Sequence, residues 1–250
     1  MRNFGICDPE RQDRAAHERA LAAYCGCIEW VDDAIGRLLA TLDYLGLAEN
    51  TLVIYSSDHG EMAGERGTWQ KSVFYEASAR VPLLMRLPGV TTAGGRHIDA
   101  PVGLIDMFPT FCELAGTSTP AACGGTSLLP LLRGGAIARA AIFSESVVIH
   151  SPGDAGCMIR TGRWKYNAYL DGTEELYDLD ADPGEWMNLA AASACATVRA
   201  DLRHRVLAFW QPGQQLARYH AHPRMSRQKH FYEFSNQFVL GDGAVVDARP

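Results

Sequence analysis

The chain has no apolar run approaching the ~20 residues that cross a bilayer, so no stretch of it reads as a membrane span. It also has no basic tract. Its 23 Lys and Arg are outnumbered by 29 Asp and Glu, and the one basic-aromatic stretch is near the C-terminus. No electrostatic footprint for nucleic acid follows from that distribution. The start, from Met1 to Asp8, lacks the apolar core of a signal peptide. A Cys-x-x-Cys framework is missing too. Seven cysteines are scattered at 7, 25, 27, 112, 123, 157 and 195. An odd, scattered set fits reduced thiols and a cytoplasmic location better than a disulfide scaffold. Cys25 and Cys27 fall within a helical pattern and are expected as small buried residues. There is no internal repeat and no low-complexity segment.

What is present is an ordinary globular composition, 47% hydrophobic and 21% charged over 250 residues. That length supports one large domain, or one domain with a small appendage. Residues 8–46 read as a long helix, with Asp8 as cap, Pro9 in the first turn and Gly46 as stop. Leu21, Tyr24, Ile28, Val31, Ile35, Leu38, Leu42 and Leu45 recur on one face of it. Residues 51–57 form an apolar run without polar alternation, which predicts a strand buried on both faces, as in a parallel sheet covered by helices. A long loop over 58–80 follows, then a short strand over 81–86 and a helix over 104–115 whose regular part starts near Pro109. The second half changes character. Short strands around 141–144, 156–160, 164–169 and 175–178 predict an antiparallel meander, followed by an amphipathic helix over 195–210.

The most informative stretch is Thr51-Leu52-Val53-Ile54-Tyr55-Ser56-Ser57-Asp58-His59-Gly60. An apolar strand stops at a carboxylate, an imidazole and a glycine. In open α/β sheets, ligands bind beyond the carboxyl ends of such strands, where Asp58 and His59 stand. Asp-His-Gly alone leaves two readings open: a metal or catalytic pair, or a capped turn with a surface His.

The motifs around it are ordered. Asp58-His59-Gly60-Glu61-Met62 is followed by Gly64-Glu65-Arg66-Gly67-Thr68-Trp69-Gln70-Lys71-Ser72-Val73-Phe74-Tyr75-Glu76 and then by Arg80-Val81-Pro82-Leu83. Upstream is Ile28-Glu29-Trp30-Val31-Asp32-Asp33-Ala34-Ile35-Gly36-Arg37-Leu38-Leu39. Downstream are Leu104-Ile105-Asp106-Met107-Phe108-Pro109-Thr110, Gly125-Thr126-Ser127-Leu128-Leu129-Pro130-Leu131-Leu132 and Glu175-Leu176-Tyr177-Asp178-Leu179-Asp180-Ala181-Asp182-Pro183-Gly184-Glu185. Over residues 20–210 this series resembles the C-terminal portion of a sulfatase, in the alkaline-phosphatase-like superfamily. The His variant at position 59 is similar to choline-sulfatase-like and phosphonate-monoesterase-like members.

The resemblance implies an α/β fold, a partial and mostly parallel sheet with helices, plus a small C-terminal antiparallel sheet and helix. Residues 1–135 would be the C-terminal part of the catalytic domain, 136–213 the small subdomain and 214–250 a tail. Asp58 and His59 would be ligands to one divalent metal, Ca²⁺ or Mn²⁺, with Mg²⁺ also suited to oxygen donors and one imidazole. Lys71 would contact the ester and neutralise charge on the transferred group. The substrate would be a small-molecule sulfate ester, or a phosphonate or phosphate ester of similar tetrahedral shape.

The family's nucleophile belongs to a Cys/Ser-x-Pro-x-Arg element, with the Cys converted to formylglycine. Cys7-Asp8-Pro9-Glu10-Arg11 has the bare spacing, but it precedes the long helix directly, out of the family order. The N-terminal Asp-Asp ligand element has no counterpart either. The chain is therefore expected to supply half of a site and to turn over little ester alone, or, in a further reading, to be a non-catalytic remnant that binds metal weakly. It is also expected to form homo-oligomers or to require the missing half. Glu61 and Glu65 read first as solvated loop carboxylates, and second as groups that support the site or belong to a substrate loop. Arg80 reads equally as a salt-bridge residue or a site residue, and His97 as a loop His. Trp164 and Tyr177 read as packing residues, and His220, His222 and His230 form no complete metal motif.

Overall fold

A computed structural model describes residues 14–91, 94–146, 155–211, 213, 237–239 and 245–247. Asp8, Pro9, the Cys7–Arg11 element and the tail histidines lie outside these residues. The chain divides into two compact units, Met1–Ile142 and Phe143–Pro250.

In the first unit, helix α1 spans Arg14–Tyr44. Its sequence is dominated by Ala, Leu, Arg and Glu, which propagate a helix well. It ends in a Schellman motif. Gly46 sits at φ +67°, its N–H donates to the Asp43 carbonyl, and the Leu47 N–H donates to the Leu42 carbonyl. The apolar stripe read from the sequence is present, but no residue of α1 is buried. Leu38, in mid-stripe, is 60% exposed. Cys25 and Cys27 are likewise exposed, which corrects the expectation that they are buried. Periodicity marked the face of the helix that could be covered. Among the described residues nothing encloses it.

Strand β1 spans Val53–Ser56, and β2 spans Leu83–Arg86. They pair antiparallel, Val53 opposite Arg86 and Ser56 opposite Leu83. Parallel neighbours of β1 are not among the described residues, so the sheet here has two strands. Burial on both faces is accordingly not found: Tyr55 is 42% exposed and Leu84 60%. A two-stranded ribbon with no second layer leaves part of its apolar surface in solvent.

Between the strands lie a loop and the one-turn helix α2, Glu76–Ala79. Beyond β2, a 3₁₀ turn at Leu104–Asp106 feeds helix α3, Met107–Leu114. Pro109 lies in the first turn of α3, where a missing N–H costs nothing. Helix α4 is Leu129–Leu132. Asp106 is fully buried and organises this region. It accepts from the Gly103 N–H at 2.9 Å, the Thr126 N–H at 2.8 Å and the Arg139 guanidinium. The Thr110 hydroxyl donates to the Asp106 carbonyl at 2.6 Å and accepts from the Leu128 N–H at 2.8 Å. Gly125 must be glycine, because a Cβ there would meet the Ile105 carbonyl oxygen at 2.1 Å. Met62, Phe74, Leu128, Leu129 and Leu131, with Ala48 and Cys112, are the buried apolar residues described in this unit.

In the second unit, β3 (Ile142–Ser146), β4 (Gly156–Arg160), β5 (Trp164–Tyr169) and β6 (Glu174–Asp178) form one sheet in sequential order. The β4–β5 and β5–β6 pairs are antiparallel. Gly172, at φ +85°, turns β5 into β6, and the Asp171 carboxylate accepts from the Thr173 N–H beside it. Helix α5, Ala196–Phe209, contributes buried Leu202 and Val206 to the unit's core, and Phe209 stacks on Phe143 at 4.3 Å. Lys165 and Glu185, both buried, form an ion pair at 2.8 Å. Tyr177 is buried, while Trp164 lies under the Arg163 guanidinium at 4.9 Å. In the stretch read as a tail, β7 (Gln237–Val239) pairs antiparallel with β8 (Val245–Asp247).

Candidate metal and ester site

The site begins where β1 ends. The Ser56 hydroxyl donates to the Pro82 carbonyl at 2.9 Å and fastens the strand end to β2. The Ser57 hydroxyl donates to the His59 carbonyl at 2.7 Å, folding the chain back over the next two residues. Gly60 then lies flat on α2. Its N–H donates to the Ser78 carbonyl at 2.8 Å, and a Cβ at this position would come within 2.0 Å of the Ala77 carbonyl oxygen. A glycine is therefore required, and its contact fixes the direction in which Asp58 and His59 project.

The Asp58 side chain is 84% exposed. Its Oδ1 accepts from the His59 N–H at 3.1 Å and lies 3.3 Å from the Ser57 hydroxyl. Its own backbone N–H is the largest cause holding its carboxyl below the usual carboxylate range; burial opposes it, and His59 and Ser57 add to the lowering. A ligand carboxylate is thus kept ionised. His59 Nδ1 lies 2.8 Å from the Gly60 carbonyl oxygen. A carbonyl can only accept, so Nδ1 carries the hydrogen and the Nε2 lone pair is left for another partner. Fixing one ring nitrogen on a carbonyl is how proteins orient a histidine ligand. Nε2 lies 3.5 Å from Asp58 Oδ2. Two donors so separated can share one cation at ligand distances of about 2.0–2.4 Å. The donor set therefore fits two positions of a hard-metal shell. It is not a complete shell: among the described residues no group of three or more His, Cys, Asp or Glu could hold a metal.

Lys71 stands thirteen residues beyond Asp58, exposed on the loop. Among the described residues it makes no hydrogen bond or ion pair with Asp58 or His59. The loop is strained. Ala63, Arg66, Gln70 and Ser72 all have positive φ without being glycine, and the last two flank Lys71 at +74° and +79°. Such residues persist only where surrounding contacts over-determine them, and they gather at functional sites. The contacts here are specific. Glu61 Oε1 accepts from the Ala63 N–H at 3.1 Å and from the Gln70 N–H. The Arg66 guanidinium lies 4.0 Å over the Tyr75 ring. His17 of α1 meets Trp69 edge to face at 5.5 Å and covers Gly64 so closely that a Cβ there would touch its ring.

Glu61 is thus a loop-closing acceptor, a role its sequence context did not disclose. Glu65 is exposed within a 3₁₀ turn, Glu65–Gly67. His97 pairs with Asp99 at 3.0 Å, both largely exposed. The Arg80 side chain is exposed beside β2. No sequence signal flagged His17, because its partner Trp69 is distant along the chain.

These residues lie within the stretches that match known protein families. The model of the sulfatase family matches residues 4–117, and that of the N-sulphoglucosamine sulphohydrolase C-terminal family matches residues 64–211. Arylsulfatase K of Rattus norvegicus is 35% identical over 238 residues, 89% of this chain and 38% of its own length. A choline-sulfatase of Rhizobium meliloti is 38% identical over 179 residues, 69% of this chain and 33% of its own. The solved phosphonate monoester hydrolase of Agrobacterium radiobacter superposes with a TM-score of 0.67 at 29% identity, covering 91% of this chain and 45% of its own. The chain thus spans between a third and two-fifths of the length of these curated relatives. The fold is that of the alkaline-phosphatase-like superfamily, and the chain belongs to the sulfatase family.

Proposed function

We infer that this chain supplies part of the active site of a sulfuric ester hydrolase. Asp58 and His59 are two ligands of a divalent ion, Ca²⁺ or Mn²⁺ by donor type and Mg²⁺ by the same oxygen preference. Lys71 meets the ester oxyanion. The observation that carries this reading is His59, held by Nδ1 on the Gly60 carbonyl with Nε2 set 3.5 Å from the Asp58 carboxylate. A metal bound there would supply Lewis-acid stabilisation of the tetrahedral oxyanion. The chain's own residues have three roles. Asp58 stays ionised, His59 stays in one tautomer, and Lys71 offers a point charge to the transferred group or the leaving oxygen. The family's formylglycine nucleophile and the remaining carboxylate ligands come from outside the described residues.

The test has two arms. Calorimetry of the chain with Mn²⁺ or Ca²⁺ is expected to show weak binding that Asp58→Ala or His59→Ala abolishes and Lys71→Ala leaves unchanged. Tight stoichiometric binding that survives both ligand changes would overturn the assignment. In a protein supplying the other ligands and the nucleophile, Lys71→Ala is expected to cut turnover of an aryl sulfate about a hundredfold or more, as loss of an oxyanion donor does.

A phosphonate or phosphate ester hydrolase is the second reading, favoured by His59 and by the likeness to the Agrobacterium enzyme. Sulfate and phosphonate esters present similar oxyanions, so relative rates on the two ester types decide between them.

A further inference from the structure

We propose that Glu61 is the positioning residue for Lys71, clasping both ends of the 63–70 loop so that the ammonium meets the oxyanion at one place. This rests on the reading of Lys71 as the oxyanion contact. A lysine is a point charge on a flexible stem, so its aim depends on the backbone that carries it. That backbone is unusual, because Lys71 lies between two non-glycine residues of positive φ, Gln70 and Ser72.

Glu61 is what holds the first of them. One carboxylate oxygen accepts from the Ala63 N–H, where the loop leaves, and from the Gln70 N–H, where it returns. Both bonds involve an ionised acceptor and are stronger than neutral ones. The base of the clasp is itself fixed. Gly60 is pinned to α2, Met62 is buried, and the Met62 N–H donates to the Gln70 carbonyl at 2.8 Å. Gly64 N–H to the Thr68 carbonyl at 2.9 Å closes the loop again above it. Glu61 therefore ties the residue adjacent to Lys71 to a segment that starts at the metal pair. Without the carboxylate the Gln70 N–H loses its acceptor, and the left-handed turn before Lys71 loses a main restraint.

The test is a titration of the full 250-residue chain with sodium sulfate in the presence of Mn²⁺, followed by amide NMR of residues 70–72, with amide exchange measured at Ala63 and Gln70. Glu61→Ala is expected to speed exchange at both amides and to weaken the sulfate response about tenfold or more, the scale of a lost charged hydrogen bond. Glu61→Gln, which keeps an acceptor oxygen, is expected to restore most of the response. In a Lys71→Ala background, Glu61→Ala is expected to add nothing. Unchanged sulfate response in Glu61→Ala, or an equal further loss on top of Lys71→Ala, overturns the clasp. A wild-type chain with no saturable sulfate response overturns the reading of Lys71 itself and the positioning role with it. That result is told apart because the alanine variant's exchange rates would still report the clasp.

Discussion

Asp178 ends β6 with its carboxylate held by both arms of Arg163, Nε at 2.9 Å and Nη2 at 2.5 Å. This bidentate pairing on a nearly buried carboxylate keeps its pKa below the ordinary value. The Arg163 hydrogen bond is the largest cause, and burial opposes it. A carboxyl whose folded pKa is depressed adds stability above the unfolded pKa of about 4, and loses it as pH falls through the folded value. Asp178→Asn is therefore expected to be less stable than the native chain at neutral pH. The gap should close as the pH drops from about 4 towards 2. Urea unfolding midpoints of both proteins across that range measure it, and a gap independent of pH would refute the assignment. The same scale shows what single residues conceal. Asp58-His59-Gly60 was legible because three chemically distinctive residues follow an apolar run. Glu61 was not, because a loop carboxylate reads as solvated whether it faces water or two backbone N–H groups. Asp106 was quoted in a motif, yet nothing in its neighbours announced a buried acceptor for Gly103, Thr126 and Arg139.

At the scale of elements, the C-terminal end of α1, the four-stranded sheet and α5 were legible within a residue or two, while the expected start of α1 at Asp8 lies outside the described residues. Gly46 and Gly172 mark the turns after α1 and β5, and short strands set between Gly and Asp turns can only meander. The partner of β1 was not legible. An apolar run of β-branched residues states that a strand wants cover, but it does not encode whether its neighbour runs parallel or antiparallel. The α1 stripe has the same limit, since a period of 3.6 identifies a face and says nothing of what lies against it. This gives an energetic contrast between elements. Leu176, in β6, is fully buried, whereas Leu38 is exposed. Leu176→Ala is expected to cost about 2–5 kcal/mol through lost transfer energy and a cavity. Leu38→Ala is expected to cost less than about 1 kcal/mol in the monomeric chain, the range of surface substitutions. Chemical denaturation at high dilution measures both, and equal costs would show that the α1 stripe is covered.

For the whole molecule the open stripe leads to an expectation of association. Leu21, Ile28, Val31 and Leu38 lie along α1, Leu45 just beyond its end, and Tyr55 and Leu84 stand on the β1–β2 ribbon, all exposed within the first unit. Exposed large apolar side chains gathered on one helix face mark an interaction face or an aggregation hazard. Among the described residues β1 pairs only with β2, and an edge without a strand partner is a template for further strand pairing. The second unit shows the opposite balance, with Tyr166, Ile159, Leu176 and Val206 fully enclosed. Association should therefore come from the first unit. Light scattering of the purified chain is expected to show a mass above that of one copy, rising with protein concentration. Replacing Ile28 and Leu38 together by Lys is expected to lower that mass while leaving the thermal transition of the four-stranded sheet in place, because the like charges repel across any contact made by α1. A concentration-independent monomer in the unsubstituted chain would show that the exposed stripe does not mediate self-association, and association unaffected by the double substitution would place the contact elsewhere than α1.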